Sequence, residues 1–435
     1  MTQHRSSAAR RAAIIAIPVA GALLLAGCSG SGGDSGDSGD SGDGAAEFSF
    51  TFATSNNLES PYETLAKAYM DANPDVTITT NPTPNDKYGE TIRTQFQAGN
   101  AADVVQTTPG SGDARGIIPL AEAGFLEPLG DTAAELVPAG SESIFEIDGD
   151  VYGQPMDFTI AGVVASMGTA AMNGLDEWPA TDSDLYDACS ALAAEGKSLL
   201  ALAGAAGPNA GLTAQGIAAT RVYAEEPDWN EQRAAGDTTF AESDGWADTL
   251  QTIIDLNEGG CFQPGAEGGG FDAITNGLSQ GTSVGSFIPS GSAVEIATAA
   301  PPEADFKVQP FPAADGGDPY IIASSNYTIS INAASKNKDA ASEFVEWLAT
   351  PEAQEIYYEA SGLLPISSYQ DLDLSDTIYS PVVDLLAEGS YAPLPNNIWP
   401  NPAVYEALQV GVQGLLTGQS TVEQVLQNMD AAWGE

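Results

Sequence analysis

Histidine is all but missing from this 435-residue chain, and the single one is His4. Its absence elsewhere excludes Ser-His-Asp and Cys-His catalysis and any histidine-dependent zinc or iron site. Cations are also scarce. Thirteen Lys and Arg stand against 60 Asp and Glu, for a net charge of −47. Such a surface repels nucleic acid and anionic lipid headgroups, so neither is expected as a partner. No Gly-x4-Gly-Lys-Ser/Thr occurs, which excludes that nucleotide cradle. Cysteine is limited to Cys28, Cys189 and Cys261. The last two are 72 residues apart and make neither a CxxC redox motif nor a metal knuckle. In an oxidising compartment they are expected to pair as a structural disulfide, the alternative being two buried thiols. No cofactor and no metal are expected.

Cys28 closes Leu25-Ala26-Gly27-Cys28, behind His4, Arg5, Arg10, Arg11 and an apolar run from Ala12 to Ala26. That run has the length of a signal h-region and is short for a spanning helix. The segment resembles a bacterial lipobox. The resemblance implies that residues 1–27 are a lipoprotein signal peptide, cleaved before Cys28, and that the Cys28 sulfur is acylated. Residues 28–45 follow as a Ser-Gly-Asp linker with Asp34, Asp37, Asp40 and Asp43 at every third position. Calcium loops space their first ligands at alternate residues and end in a glutamate, so a flexible, solvated tether is the better reading. The soluble body is then expected at the outer face of the cell membrane, held by its lipid.

Residues 46–435 are too many for one core of usual size, which points to two lobes. Glu47 to Ala53 alternates aromatic and polar residues like a strand. A helix opens at Pro61 with Leu65, Ala68, Tyr69 and Met70 on its apolar face. Asp75–Thr80 reads as a strand, Tyr88–Ala98 as a helix and Ala102–Gln106 as a third strand. This alternation predicts an α/β fold with a mainly parallel sheet and a ligand site beyond the strands' carboxyl ends.

The order strand, helix ending Met70-Asp71-Ala72-Asn73-Pro74, strand, helix ending Phe96-Gln97-Ala98-Gly99-Asn100, then Ala102-Asp103-Val104-Val105 resembles the opening of the extracellular solute-binding proteins of bacterial ABC importers. Similar pieces follow in family order at Gly124–Leu129, Asp148–Pro155, Gly281–Gly285 and Ile331–Ala341, the last trailed by Phe344, Trp347 and Leu348. The chain is most similar to the maltose-binding-protein group. The resemblance implies a two-lobe, periplasmic-binding-protein-like fold with a hinge between the lobes. It places the crossings near Pro155–Thr159, Val308–Pro312 and Glu359–Leu364. Residues 46–157 and 309–360 would form lobe 1, and 158–308 and 361–435 lobe 2.

A sugar receptor needs hydrogen-bonding groups for ring hydroxyls and flat aromatic faces, enclosed in a cleft. In lobe 1 the candidates are Ser55 and Asn56 after the first strand and Thr107 and Thr108 after the third, although turn and cap chemistry uses the same residue types. Asp157 follows the first crossing, where the resemblance implies a polar group facing the cleft. Asn209 lies in a small-residue loop and Ser290 in Phe287-Ile288-Pro289-Ser290-Gly291. The maltose-binding group commonly carries a stacking tryptophan near Gly291, so its absence puts maltodextrin in doubt. Asn326, Tyr327, Trp399 and Tyr405 are the remaining candidates, with Trp399 or Tyr405 as stacking wall and core packing as the alternative for Tyr405. Trp229 and Trp246 read as packing.

The leading expectation is a monomeric, lipid-anchored receptor without catalytic residues, which delivers a saccharide to an ABC permease. The same fold binding a polyamine or peptide, or a surface glycosidase using paired carboxylates, are the alternatives.

Overall fold

In the computed structural model, residues 46–54, 60–138 and 141–434 are described. The strand Ala46–Thr54 turns Phe48, Phe50 and Phe52 to one buried face, as its alternation requires. The helix Pro61–Ala72 packs against this sheet. Its start is a capping box, in which the Ser60 hydroxyl accepts from the Tyr62 N–H (3.3 Å) and Glu63 accepts from the Ser60 N–H (3.0 Å). It buries Tyr62, Leu65, Ala66 and Tyr69. Val76–Pro84 and Val104–Thr107 flank the first strand, both parallel to it. Thr328–Asn332, Leu126–Glu127 and Gln154–Pro155 complete this sheet.

The second sheet is built around Asp157–Ser166, a strand buried along its whole length. Beside it lie Ser283–Pro289 and Ile321–Ser324, with Ser198–Leu200 and Tyr391–Ala392 outside them. Parallel pairing is found where strands alternate with helices. In each lobe, however, the strand that follows a crossing runs antiparallel to its neighbours: Thr328–Asn332 against Val104–Thr107, and Asp157–Ser166 against Ser283–Pro289 and Ile321–Ser324. Its direction is set by where the chain arrives, not by a right-handed crossover helix.

The chain first passes between the sheets at Met156, since Gln154–Pro155 pairs in the first sheet and Asp157 starts the second. The expected crossing at Val308–Pro312 is corrected. Phe306–Gln309 pairs with Val163–Ser166 inside the second sheet, and the chain returns to the first lobe only at Ser325–Tyr327. Residues 309–324 therefore belong to the second lobe. Both stretches are short, apolar strand, and nothing in such a run says which sheet it joins. The third crossing is Gly362–Leu363, between the helix Pro351–Ser361, packed on Pro61–Ala72, and Leu364–Pro365 in the second sheet.

The largest core belongs to the second lobe, where Trp229, Phe240, Trp246 and Trp399 pack together at centroid distances of 4.8 to 5.9 Å. Trp229 and Trp246 are thus packing residues. Cys189, on the helix Asp182–Ala194, is bonded to Cys261, just beyond the helix Asp244–Glu258, and both are fully buried. The leader, Cys28 and the linker lie outside the described residues. Among the described residues no helix is long and apolar enough to cross a membrane, and no cluster of His, Cys, Asp and Glu could hold a metal ion.

Candidate functional site: the cleft between the lobes

Two adjoining cavities separate the lobes and share Asn85, Pro289 and Tyr327. They measure about 80 and 90 Å³. At 10–15 Å³ per water each has room for roughly six to eight waters, and the pair together for about as many atoms as one hexose ring with its hydroxyls. The first cavity takes Thr54, Ser60, Tyr62 and Gln106 from lobe 1, and Ser292 and Glu295 from lobe 2. The second takes Asp113 and Arg115 from lobe 1, and Gln215, Asn396 and Tyr405 from lobe 2.

Several of these groups are already engaged. Arg115 holds Asp113 with two bonds (Nε to Oδ1 3.0 Å, Nη2 to Oδ2 3.2 Å) and Asn85 Oδ1 with a third at 3.2 Å. Burial pushes the Asp113 carboxyl up, but this guanidinium outweighs it and leaves the group below the usual carboxylate range. Gln215 is only half satisfied. Its Nε2 donates to Asn396 Oδ1 (2.9 Å), while its buried Oε1 has no partner among the described residues. A buried acceptor without a donor costs about 1–3 kcal/mol, which a donor from a bound solute would offset.

Of the predicted residues, Asn209, Asn326, Tyr327 and Tyr405 line the second cavity, and Tyr327 lines both. Burial pushes the Tyr327 phenol up to about 12, so it stays protonated and able to donate. The Asn209 amide is spent inside its own lobe, accepting from Ala203 N–H (2.9 Å) and donating to the Phe287 carbonyl (2.7 Å). Ser55 and Asn56 lie outside the described residues, beside Thr54. The others do not reach the cavities. Thr107 is buried in the sheet, its hydroxyl 2.7 Å from those of both Thr328 and Ser330. Thr108 is buried where its backbone meets the Arg115 carbonyl, and the Ser290 hydroxyl bonds Ile160 N–H and Tyr379.

Trp399 is corrected from stacking wall to core. It is fully buried against Phe240 and Trp246, and its indole N–H finds Asn230 Oδ1 at 3.2 Å. An aromatic cluster that can also satisfy the indole outcompetes the cleft for such a side chain. Tyr62, Asn85, Arg115, Gln215 and Glu295 were missed, because no local pattern distinguishes them from ordinary surface polar residues. At Gly291 a Cβ would lie 2.6 Å from both Leu363 Cγ and the Ser361 carbonyl oxygen, so no tryptophan fits there.

The profile of the bacterial extracellular solute-binding proteins matches residues 54–355. The chain belongs to this family. Solved structures agree on the fold. A protein studied for xylan utilization in the thermophile Caldanaerobius polysaccharolyticus superposes with a TM-score of 0.75 at 22% identity, covering 88% of this chain and 99% of that one. A chitin oligosaccharide binding protein gives 0.72 at 21% identity over 90% and 98%, and RafE in complex with raffinose 0.71 at 19% over 89% and 98%. No curated protein matches by sequence.

In this solute-binding protein Asp157 joins all three crossings. Its carboxylate accepts from Thr159 Oγ1 (2.8 Å) on the first, from the Asn326 N–H (3.2 Å) on the second and from Tyr357 OH (3.1 Å) on the helix that leads to the third. The residue is therefore a hinge residue and not a group facing the cleft. Burial pushes its carboxyl up to about 6, against the pull of those donors. Raised from 3.8, the group stabilises the fold fully below pH 4, and that contribution is lost as the pH rises through 6. Relative to the parent, Asp157→Asn is expected to gain about 3 kcal/mol in stability between pH 4 and 7. Urea melts at the two pH values test this, and parallel pH profiles for the two proteins would refute it.

Proposed function

We propose that this protein captures a saccharide in the cleft between its lobes and delivers it to an ABC permease, held at the outer membrane face by a lipid on Cys28. The observation that carries the reading is the shared cleft around Tyr327, whose two cavities offer hydroxyl, amide and phenol groups from both lobes to one small solute. Tyr62, Tyr327 and Tyr405 bring aromatic rings to its walls, and the ring face plus polar tip of tyrosine suits a sugar's apolar and hydroxylated sides. The structural neighbours include proteins described as binding chitin oligosaccharide and raffinose. No bond is made or broken in this function. Closure about the crossings supplies affinity by burying the solute, and the closed form is the one a permease would recognise.

A thermal-shift screen over mono- and oligosaccharides, polyamines and peptides tests the reading. A true ligand at a hundred times its Kd is expected to add about 2.7 kcal/mol of stability and to be recovered intact by chromatography. Stabilisation only by polyamines or peptides would remove the sugar, and a cleaved hit would replace the receptor with a glycosidase.

A further inference from the structure

Glu295 is the only charged side chain among the described residues that line the first cavity. It sits on the short helix Ser292–Ala297, whose Ala293 and Ile296 are anchored in the core while Ser292 and Glu295 border the cleft. Its carboxylate has no hydrogen bond and no ion pair among the described residues. Among the described residues the one cation lining either cavity, Arg115, is already committed to Asp113. Facing Glu295 across the cavity are the phenols of Tyr62, Tyr327 and Tyr357, and behind them the carboxyl of Asp157, bonded to Tyr357. None of these brings positive charge.

We propose that the solute carries a protonated amine and that Glu295 pairs with it in the closed cleft, so that the saccharide captured is an amino sugar or contains one. This rests on the receptor reading and narrows its solute class. A carboxylate enclosed without a counter-charge is costly, and removing it from water favours its neutral form. Burial alone pushes Glu295 up to about 7, which shows how little the surrounding protein compensates its charge. Neutral sugar hydroxyls could donate to the carboxylate but would leave the negative charge enclosed. An ammonium group supplies both the donors and the charge. The net charge of −47 works in the same direction, raising the local concentration of cationic solutes and opposing anionic ones.

Calorimetry on the full chain at pH 7 tests this with sugars matched except for an amine in place of one hydroxyl on each ring. The pairs are glucosamine and glucose, galactosamine and galactose, mannosamine and mannose, and chitosan disaccharide and cellobiose. In at least one pair the amine is expected to bind about ten-fold or more tightly than its hydroxyl counterpart, and Glu295→Gln is expected to reduce that ratio to about three or less. Because Glu295→Gln removes an uncompensated charge from a partly buried site, it should melt no lower than the parent protein, which separates lost pairing from lost fold. Equal or tighter binding of the neutral members, or an amine preference that survives Glu295→Gln, would overturn the amine inference while leaving the receptor standing. If no member of any pair binds while a neutral saccharide in the thermal-shift screen does, the amine inference falls and the receptor stands; if only polyamines or peptides bind, the saccharide reading falls with it.

Discussion

Gly112→Ala is expected to weaken solute binding by about a hundred-fold or more, roughly 2.7 kcal/mol, by holding the lobes apart. In the structure the loop that carries Gly112, from the first lobe, lies flat against the backbone of Asn396 and Asn397 in the second. The Ser111 N–H donates to the Asn397 carbonyl at 3.3 Å. A Cβ at residue 112 would stand 1.8 Å from the Asn396 carbonyl oxygen and 2.8 Å from its carbon. Those atoms are backbone, in a segment buried beside the largest core, and cannot swing aside as a side-chain tip would. Gly112 does not sit in the left-handed region, so alanine imposes no comparable strain on the first lobe itself. The expected result is a folded protein with near-parent melting temperature, a larger radius of gyration by small-angle scattering and a steep loss of affinity for whichever solute the screen identifies. Unchanged affinity with parent-like scattering would show that the contact yields and does not gate closure.

Removing the disulfide should have the largest effect on stability. The bond joins Cys189 and Cys261 across 72 residues, and closing a loop of that length restricts the unfolded chain by about 4 kcal/mol. The double variant Cys189→Ala/Cys261→Ala is expected to lose about that much, seen as a fall of roughly 5–10 °C in melting temperature. Solute affinity should be unaffected. Neither cysteine lines a cavity, and both lie within the second lobe, so the bond spans no crossing and does not restrain hinge motion. A drop in affinity as large as the drop in stability would contradict that separation and tie the cleft's shape to the disulfide.

Much of the first lobe is legible in the amino-acid sequence. Alternating phenylalanines in Ala46–Thr54, the helix opening at Pro61 and the strand around Val104 and Val105 are local signals, because each depends on neighbours a few residues away. The cleft was harder. Asn326 and Tyr327, chosen for their place before a strand, and Tyr405, chosen for its place on a helix, line the second cavity. Thr107, read as lying just after its strand, is instead the strand's last residue and is tied to Thr328 and Ser330, because a hydroxyl there finds cross-strand partners as readily as a ligand. Trp399 misled for a related reason. Flanking prolines and asparagines suggest an exposed loop, yet Asn396 and Asn397 are buried and the tryptophan completes the aromatic cluster.

The amino-acid sequence by itself determined the class of architecture this protein adopts and a few chemistries for which it has no residues. Its single histidine is His4 and no Gly-x4-Gly-Lys-Ser/Thr loop occurs, so histidine-dependent catalysis and that nucleotide cradle are closed to it. Its strand and helix order and its two distant cysteines specify an α/β body with an internal bond. Only the tertiary structure decided where the chain changes lobes, that Asp157 joins the three crossings, and that Glu295 and Gln215 face the cleft with capacity to spare. The reason is physical. Periodicity and capping act over one turn or one strand, whereas a residue's role in the cleft depends on which distant groups are brought beside it and whether they already satisfy its charge and hydrogen bonds.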